Sequence, residues 1–316
     1  MKSSALALCI SAGCLVACSP PGEEAGMPVI GEVDDDFGLQ VQEYILAFPY
    51  QDTYDYAVRY TGSSPENLNI WVLGQQPVLV KAGEDTVVRM NNDTYYKMAF
   101  VDLRSGPVVL QSESADPERF SSFQLMDDRN VNYRNVIRPE GTYVLYRGAA
   151  PEDMEGTLIE VPSDLSVALV RVEVKDKDDA ADVAAAAEIF NGISISGPTP
   201  PDFPEVDVLS QFPQEVAAEA ERRLDEAFAT TPFRLTVVGP GQEPGIDVPV
   251  LNHSAGTKGG WGGPGTEHSS YETIFFDAAG EPLDGSQGSY TVTTERPPVR
   301  AFWSLTVYDT ERGGFL

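Results

Sequence analysis

From Pro77 to Val174 the apolar residues recur with a period of two, in short runs cut by turn formers, and this pattern constrains the fold more than any other feature of the chain. The runs are Val78–Val80, Thr86–Met90, Tyr95–Leu103, Pro107–Gln111, Phe120–Met126, Val131–Ile137, Thr142–Tyr146, Thr157–Val161 and Val167–Val174. Between them stand Ala82-Gly83-Glu84, Ser105-Gly106, Asp116-Pro117 and Pro139-Glu140-Gly141. Many short strands at near-regular spacing predict an antiparallel β-sandwich.

Helical patterns flank this region. From Phe37 to Gly62 the residues Leu39, Val41, Tyr44, Ile45 and Phe48 form one apolar stripe, which Pro49 is expected to break. Asp178 and Asp179 offer an N-cap to an Ala-rich helix that ends at Asn191-Gly192. Residues 196–204 (SGPTPPDFP) read as a linker and a domain junction. A second amphipathic helix runs over Gln214–Phe228, with Val216, Ala220 and Leu224 on one side, and Pro232 stops it. Residues 239–265 are glycine-rich and structureless by pattern. Strands resume at Tyr271–Phe276, Tyr290–Thr294 and Val299–Tyr308. The last offers apolar surface to both faces and reads as a central strand that needs neighbours on both edges.

The N-terminus carries the clearest single motif. Lys2 precedes a mostly apolar run from Ala5 to Val16, and Leu15-Val16-Ala17-Cys18 follows the bacterial lipobox pattern, in which the thiol is acylated and becomes the first residue of the mature chain. The alternatives are an ordinary signal peptide with an incidental cysteine, or a membrane-spanning helix, for which ~20 apolar residues are needed. All three cysteines lie at or before Cys18, so a mature body cut there holds no disulfide framework. Ser19 stands where an aspartate would favour retention in the inner membrane. The expected location is therefore the bacterial envelope, anchored by lipid, on the outer membrane or its periplasmic face. Residues 19–36 (SPPGEEAGMPVIGEVDDD) read as a flexible acidic tether.

The chain of 316 residues has 42% hydrophobic content, enough for real cores, and 49 acidic against 21 basic residues, net −28. Loss of Lys2 with the signal segment takes the mature body to −29. Such a surface repels phosphate backbones and anionic lipid, which argues against nucleic acid as a partner and leaves the acyl anchor as the membrane contact.

Two stretches carry a family likeness. One is Asn92-Asp93-Thr94-Tyr95-Tyr96, with Asp102-Leu103-x-x-Gly106-Pro107-Val108-Val109-Leu110 and Arg119-Phe120-x-x-Phe123-Gln124-Leu125-Met126-Asp127. The other is Asp277-x-x-Gly280-x-Pro282-Leu283-Asp284-Gly285-Ser286, then Pro297-Pro298-Val299-x-Ala301-Phe302-Trp303-Ser304-Leu305-Thr306-x-Tyr308-Asp309. Over roughly residues 37–316 the chain resembles the bacterial proteins that pair domain of unknown function 1254 with domain of unknown function 1214. The resemblance implies a mainly β protein: an N-terminal immunoglobulin-like sandwich with attached helices, then a C-terminal jelly roll. It implies no established reaction. The expected organisation is a signal peptide over 1–17, a tether over 18–36, the 1254-like sandwich over 37–195, a linker over 196–206, and a helix with the 1214-like domain over 207–316. Members of the family continue past the Trp-Ser-Leu-Thr-x-Tyr-Asp block. Three visible strands do not close a jelly roll of about eight, so the C-terminal domain is expected to be truncated here or completed by a partner.

Standard catalytic signatures are missing: no Gly-x-Ser-x-Gly elbow, no His-Glu-x-x-His and no P-loop. The two histidines, His253 and His268, are weak metal candidates whose spacing fits no known site, and no cofactor is expected. Asp93, Asp102 and Asp127 fall at strand ends. A carboxylate pair there suits acid–base chemistry, and each acid equally suits a turn cap. Tyr95, Tyr96, Phe302 and Trp303 are strand-borne rings that line a ligand groove or fill a core. The candidate ligand-binding set is Asp93, Tyr95, Asp127 and Trp303. The resulting expectation is an envelope lipoprotein with a ligand-binding or scaffolding role, leaving room for a small-molecule or glycan ligand and for a homo-oligomer. The alternative is an exported hydrolase of glycans or esters that uses strand-end carboxylates.

Overall fold

The computed structural model describes residues 6–13 as backbone, and residues 36–81 and 90–309 with their side chains. Cys18, nearly all of the tether, and the Thr86–Met90 run apart from Met90 itself lie outside the described residues. The chain runs β1 (Leu6–Gly13), α1 (Asp36–Thr61), β2 (Thr94–Asp102), β3 (Val108–Ser112), β4 (Ser121–Asp127), β5 (Asn132–Ile137), β6 (Gly141–Tyr146), β7 (Thr157–Glu160), β8 (Leu165–Glu173), α2 (Ala180–Asn191), β9 (Ile193–Ser196), α3 (Gln214–Thr230), α4 (Val250–Gly260), β10 (Ser269–Ile274) and β11 (Trp303–Asp309).

Two four-stranded sheets build the sandwich, one ordered β2-β8-β4-β5 and the other β7-β6-β3-β9. Their ladders are antiparallel except for the β6–β7 pair. Alternation along the strands divides the first sheet into two faces. Tyr95, Ala99, Val101, Phe123, Leu125, Ala168, Val170 and Val172 point into the sandwich, against Val108, Leu110, Tyr143 and Leu145 of the second sheet and Ile189 and Phe190 of α2. Tyr96, Met98, Phe100, Met126, Leu165, Val167 and Leu169 point the other way, beneath Tyr54, Tyr56 and Ala57 of α1 and beneath Trp261. Strands β2 and β4 are buried along their whole length, and β8 nearly so.

The first half of α1 serves a different core. Val41, Tyr44, Ile45 and Phe48 pack on Val216, Ala220, Leu224 and Phe228 of α3 and on Ala255 of α4. The expected break at Pro49 does not occur: α1 is continuous across it. Proline removes the N–H that would bond the carbonyl four residues earlier, here that of Ile45. Ser254 of α4 supplies the replacement, its Oγ donating to the Ile45 carbonyl at 2.7 Å.

Helix α4 falls in the stretch whose glycines suggested no structure, and it corrects that reading. The glycines serve close packing. A Cβ on Gly256 would stand 2.2 Å from Thr236 Oγ1, and Cβ atoms on Gly259 and Gly260 would stand 2.4 Å from the rings of Phe228 and Phe233. Larger residues would push the helix off its neighbours.

Two expected strands are not formed. Residues 78–80 are extended without a ladder, with Val78 exposed, and residues 290–294 are an exposed coil. The Val299–Tyr308 run shortens to β11, and its expected burial on both faces is not found, since Trp303 is 38% and Leu305 46% exposed. β10 and β11 both pair with β1, antiparallel, in a three-stranded sheet ordered β10-β1-β11. The helix expected from Asp178–Asp179 forms with Asp179 as its N-cap, accepting from the Ala181 N–H at 2.9 Å.

The proline device gives a direct test. Ser254→Ala strands a buried carbonyl, which costs about 1–3 kcal/mol, read as a lower urea midpoint. Pro49→Ala in the same background returns an N–H to Ile45 and should recover part of the loss. If the double variant is no more stable than Ser254→Ala alone, the hydroxyl is not standing in for the missing N–H.

Candidate functional site

The face of the first sheet that turns away from the sandwich is only partly covered by α1. Near the start of β2 and the end of β8 it looks instead onto the turn after α4 and onto β10. Register places Tyr96, Arg171, Ser122 and Ile137 in one row across β2, β8, β4 and β5, with Met98, Leu169, Gln124 and Asn135 in the next row on the same face. Above these rows stand Trp261, Gly262, Gly263 and Tyr271.

A two-lobed cavity lies between the layers. Asn91, Tyr96, Arg171 and Tyr271 line both lobes. The first lobe spans about 670 Å³ of non-atom space, open solvent included, of which about 60 Å³ has room for the centre of a water molecule, and its walls are Leu73, Met90, Leu169, Phe228, Phe233 and Trp261. The second spans about 450 Å³ of non-atom space, open solvent included, of which about 20 Å³ has room for the centre of a water molecule, and is more polar in its residues, with Thr94, Ser122, Gln124, Asn135, His268 and Ser269 alongside Phe120 and Phe302.

Three side chains of the sheet hold the turn that roofs the cavity. Gln124 Nε2 donates to the Gly262 carbonyl at 2.9 Å, and Arg171 Nη2 to the same oxygen at 3.2 Å. Asn132 Nδ2 donates to the Gly263 carbonyl at 2.8 Å. Gly262 adopts φ +76°, a left-handed conformation that glycine takes without strain. Arg171 Nη1 also donates to Gln124 Oε1, and the guanidinium carbon lies 5.4 Å from the centre of the Tyr96 ring.

What these contacts leave over defines the site. Arg171 Nε, Asn135 Nδ2 and Thr94 Oγ1, all in residues lining the second lobe, are buried without a hydrogen-bond partner, as is Trp261 Nε1 in the first. Among the described residues no carboxylate forms an ion pair with Arg171.

The residues singled out from sequence fall elsewhere. Tyr95 is core, edge-on to Phe190 at 5.6 Å. Asp127 closes the turn after β4, accepting from the Arg129 and Val131 N–H groups at 2.9 Å each. Asp93 precedes β2, its backbone bonded to Asn91 and Val174, with one buried carboxylate oxygen unpartnered. Asp93 and Asp127 stand at opposite ends of the sheet, about 30 Å apart at ~3.3 Å per residue. Asp102 and Asp127 share an end, but they pair with Leu165 and Ser166, neighbours that point to opposite faces. Asp102 is also engaged by Arg104 at 2.7 Å. The expected convergence of strand-end acids is therefore not found. Trp303 is on the exposed side of β11, whereas its neighbour Phe302 lines the second lobe. His253 is buried in α4, with Nε2 2.9 Å from the Arg129 carbonyl and its pKa lowered by burial. His268 lines the second lobe, 3.7 Å from Glu267. No group of three metal-ligating side chains occurs among the described residues.

Sequence reasoning missed Arg171. Its signal was present: a guanidinium in the middle of Leu165-Ser-Val-Ala-Leu-Val-Arg-Val-Glu173, a run otherwise suited to burial on both faces.

Residues 72–196 match the family described as protein of unknown function DUF1254, and residues 268–316 match that described as protein of unknown function DUF1214. The chain thus pairs the two domains, in that order, as its sequence blocks implied. Among solved structures it is similar to the VPA0106 protein from Vibrio parahaemolyticus, with TM-score 0.60 and 17% identity over 80% of this chain and 74% of that one, a likeness of fold. An uncharacterized protein from Burkholderia cenocepacia aligns with TM-score 0.29 and 15% identity over 61% of this chain and 53% of that one. No curated protein matches.

A half-buried guanidinium with a buried, unpartnered Nε and no carboxylate beside it costs stability. Arg171→Met keeps the length of the side chain and removes the charge. It should melt at or above the wild-type temperature in calorimetry. A fall of several degrees would make Arg171 a structural strut.

Proposed function

We propose that this is an envelope protein, exported and held by lipid on Cys18, that binds a small molecule in the cavity beside Arg171. The observation that carries the binding reading is the set of buried polar groups, on Arg171, Asn135, Thr94 and Trp261, left without partners around one cavity. Buried polar groups normally find partners, and a cavity ringed by unsatisfied ones is completed by something that enters it. Aromatic walls on one side and oriented polar groups on the other are the usual make-up of a ligand site. The strand-end acids do not come together, which favours binding over hydrolysis by a carboxylate pair. The lipobox and the acidic tether support the anchoring reading, in which cleavage before Cys18 removes β1 and leaves β10 and β11 without the strand between them. No helix among the described residues is long and apolar enough to cross a membrane.

The two halves are tested separately. Cys18→Ser should abolish fatty-acid labelling and release the protein from the membrane fraction; labelling that persists would remove the anchor. For binding, the chain has three tryptophans. Trp71→Phe with Trp303→Phe leaves Trp261, stacked 4.5 Å from Tyr56, as the reporter of the cavity. In a small-molecule screen, compounds that raise the melting temperature should also change Trp261 emission. Stabilising compounds that leave that emission unaltered would place binding elsewhere.

A further inference from the structure

The polar groups of the cavity are not a neutral mixture, and their imbalance names a ligand class. Resting on the reading of the cavity as a ligand site, we propose that it takes a small organic anion, whose carboxylate or phosphate head sits on Arg171 and whose apolar body lies among Phe228, Phe233 and Trp261.

Arg171 Nε can only donate, Trp261 Nε1 can only donate, and the free atom of Asn135 is its amide nitrogen. Thr94 Oγ1 can do either. The unpartnered set is thus an array of donors with nothing to donate to. The chain carries 49 acidic residues, yet among the described residues no Asp or Glu lines either lobe. Elsewhere in the protein arginines are met by carboxylates: Arg119 by Asp182 at 2.6 Å, Arg222 by Glu219 at 2.9 Å and Arg234 by Glu272 at 2.7 Å. Arg171 alone of these four meets no carboxylate among the described residues; its neighbours are an amide oxygen, a backbone carbonyl, and the ring and phenol of Tyr96 with Tyr271 nearby.

A guanidinium presents its donors as a planar fork that matches the two oxygens of a carboxylate or phosphate. An anion arriving there satisfies the donors and supplies the missing counter-charge in one step. The first lobe fixes the rest of the molecule, because its walls are the rings of Phe228, Phe233, Trp261, Tyr96 and Tyr271 with Leu73 and Met90 between them. A free inorganic ion would leave that surface uncovered, so the class is an anion with a compact apolar body. A carboxylate and a phosphate monoester share the head chemistry, and the measurement separates them.

The probes are 3-phenylpropanoate, the phosphate monoester of 3-phenylpropanol, and 3-phenylpropanol itself, titrated calorimetrically into the full chain. At least one anion should bind roughly tenfold or more tightly than the alcohol, the fold-change of a modest charge-assisted contact. The stronger of the two anions identifies the head group. Arg171→Met should erase the preference while still binding the alcohol. Asn135→Asp, which sets a carboxylate of the protein's own in the second lobe, should erase it as well without removal of Arg171. Equal binding of alcohol and anions would overturn the charge inference and leave the ligand site standing. A preference for anions that survives both variants would place the anion elsewhere. Failure of all three probes to bind would also overturn the inference, and the screen on Trp261 emission then decides independently whether the cavity binds anything.

Discussion

Strands β2 and β4 are buried along their whole length, and β8 everywhere but at Arg171, so most polar groups they carry must find a partner inside the protein. The second sheet closes one face and the helices with the Trp261–Gly263 turn close the other. Much of the internal polar network follows from this. Ser166 donates to the Met126 carbonyl at 2.8 Å, and Gln124, Asn132 and Arg171 reach the carbonyls of the turn above them. The turn is therefore fastened to the sheet by hydrogen bonds from charged and amide side chains rather than by apolar contact alone.

The same constraint separates two cations that enter this sheet from opposite faces. Lys97 points into the sandwich, where its ammonium donates to the Ile193 carbonyl at 2.7 Å and lies over the Phe190 ring at 4.4 Å. Burial pulls its pKa down to about 8, so the charge can be shed. A guanidinium has no such escape within the working range of pH. Arg171 must stay charged, and it retains a buried N–H without a partner. Lysine in the core fits a structural role. Arginine at a cavity, with donors unspent, fits a site kept ready for an anion at some cost in stability.

Much of the sandwich was legible because period two and turn chemistry act locally. Seven of the expected runs, from Tyr95–Leu103 onward, became strands with ends shifted by a residue or two, and the Asp179 cap fixed α2 as its side chain predicts. What failed was non-local. The answer to Pro49 is a hydroxyl on Ser254, some two hundred residues later, and no window of sequence around the proline contains it. Helix α4 was hidden because its glycines are selected by the rings of Phe228 and Phe233, which lie across a helix interface. The cavity was missed by parity. Asp93, Tyr95 and Asp127 belong to the face that fills the sandwich, and a shift of one residue flips a strand side chain to the other face. Tyr96 and Phe302, next to the chosen Tyr95 and Trp303, are the ones that line the cavity.

Glycine packing and the cavity are two results of one geometry. Because Gly259 and Gly260 carry no side chain, the rings of Phe228 and Phe233 press against the end of α4, and that contact fixes where the helix stops and the Trp261–Gly263 turn begins. Trp261 is then laid on Tyr56, and the Gly262 carbonyl is brought within reach of both Gln124 and Arg171. The aromatic rings that close on the glycines are also walls of the apolar lobe. A bulkier helix end would lift the roof, loosen the hold on Arg171 and open the cavity to water, where a guanidinium is satisfied by solvent and an anion gains little from it. The glycine-rich stretch thus bears on the proposed ligand site through packing, by holding the roof of the cavity in place over Arg171.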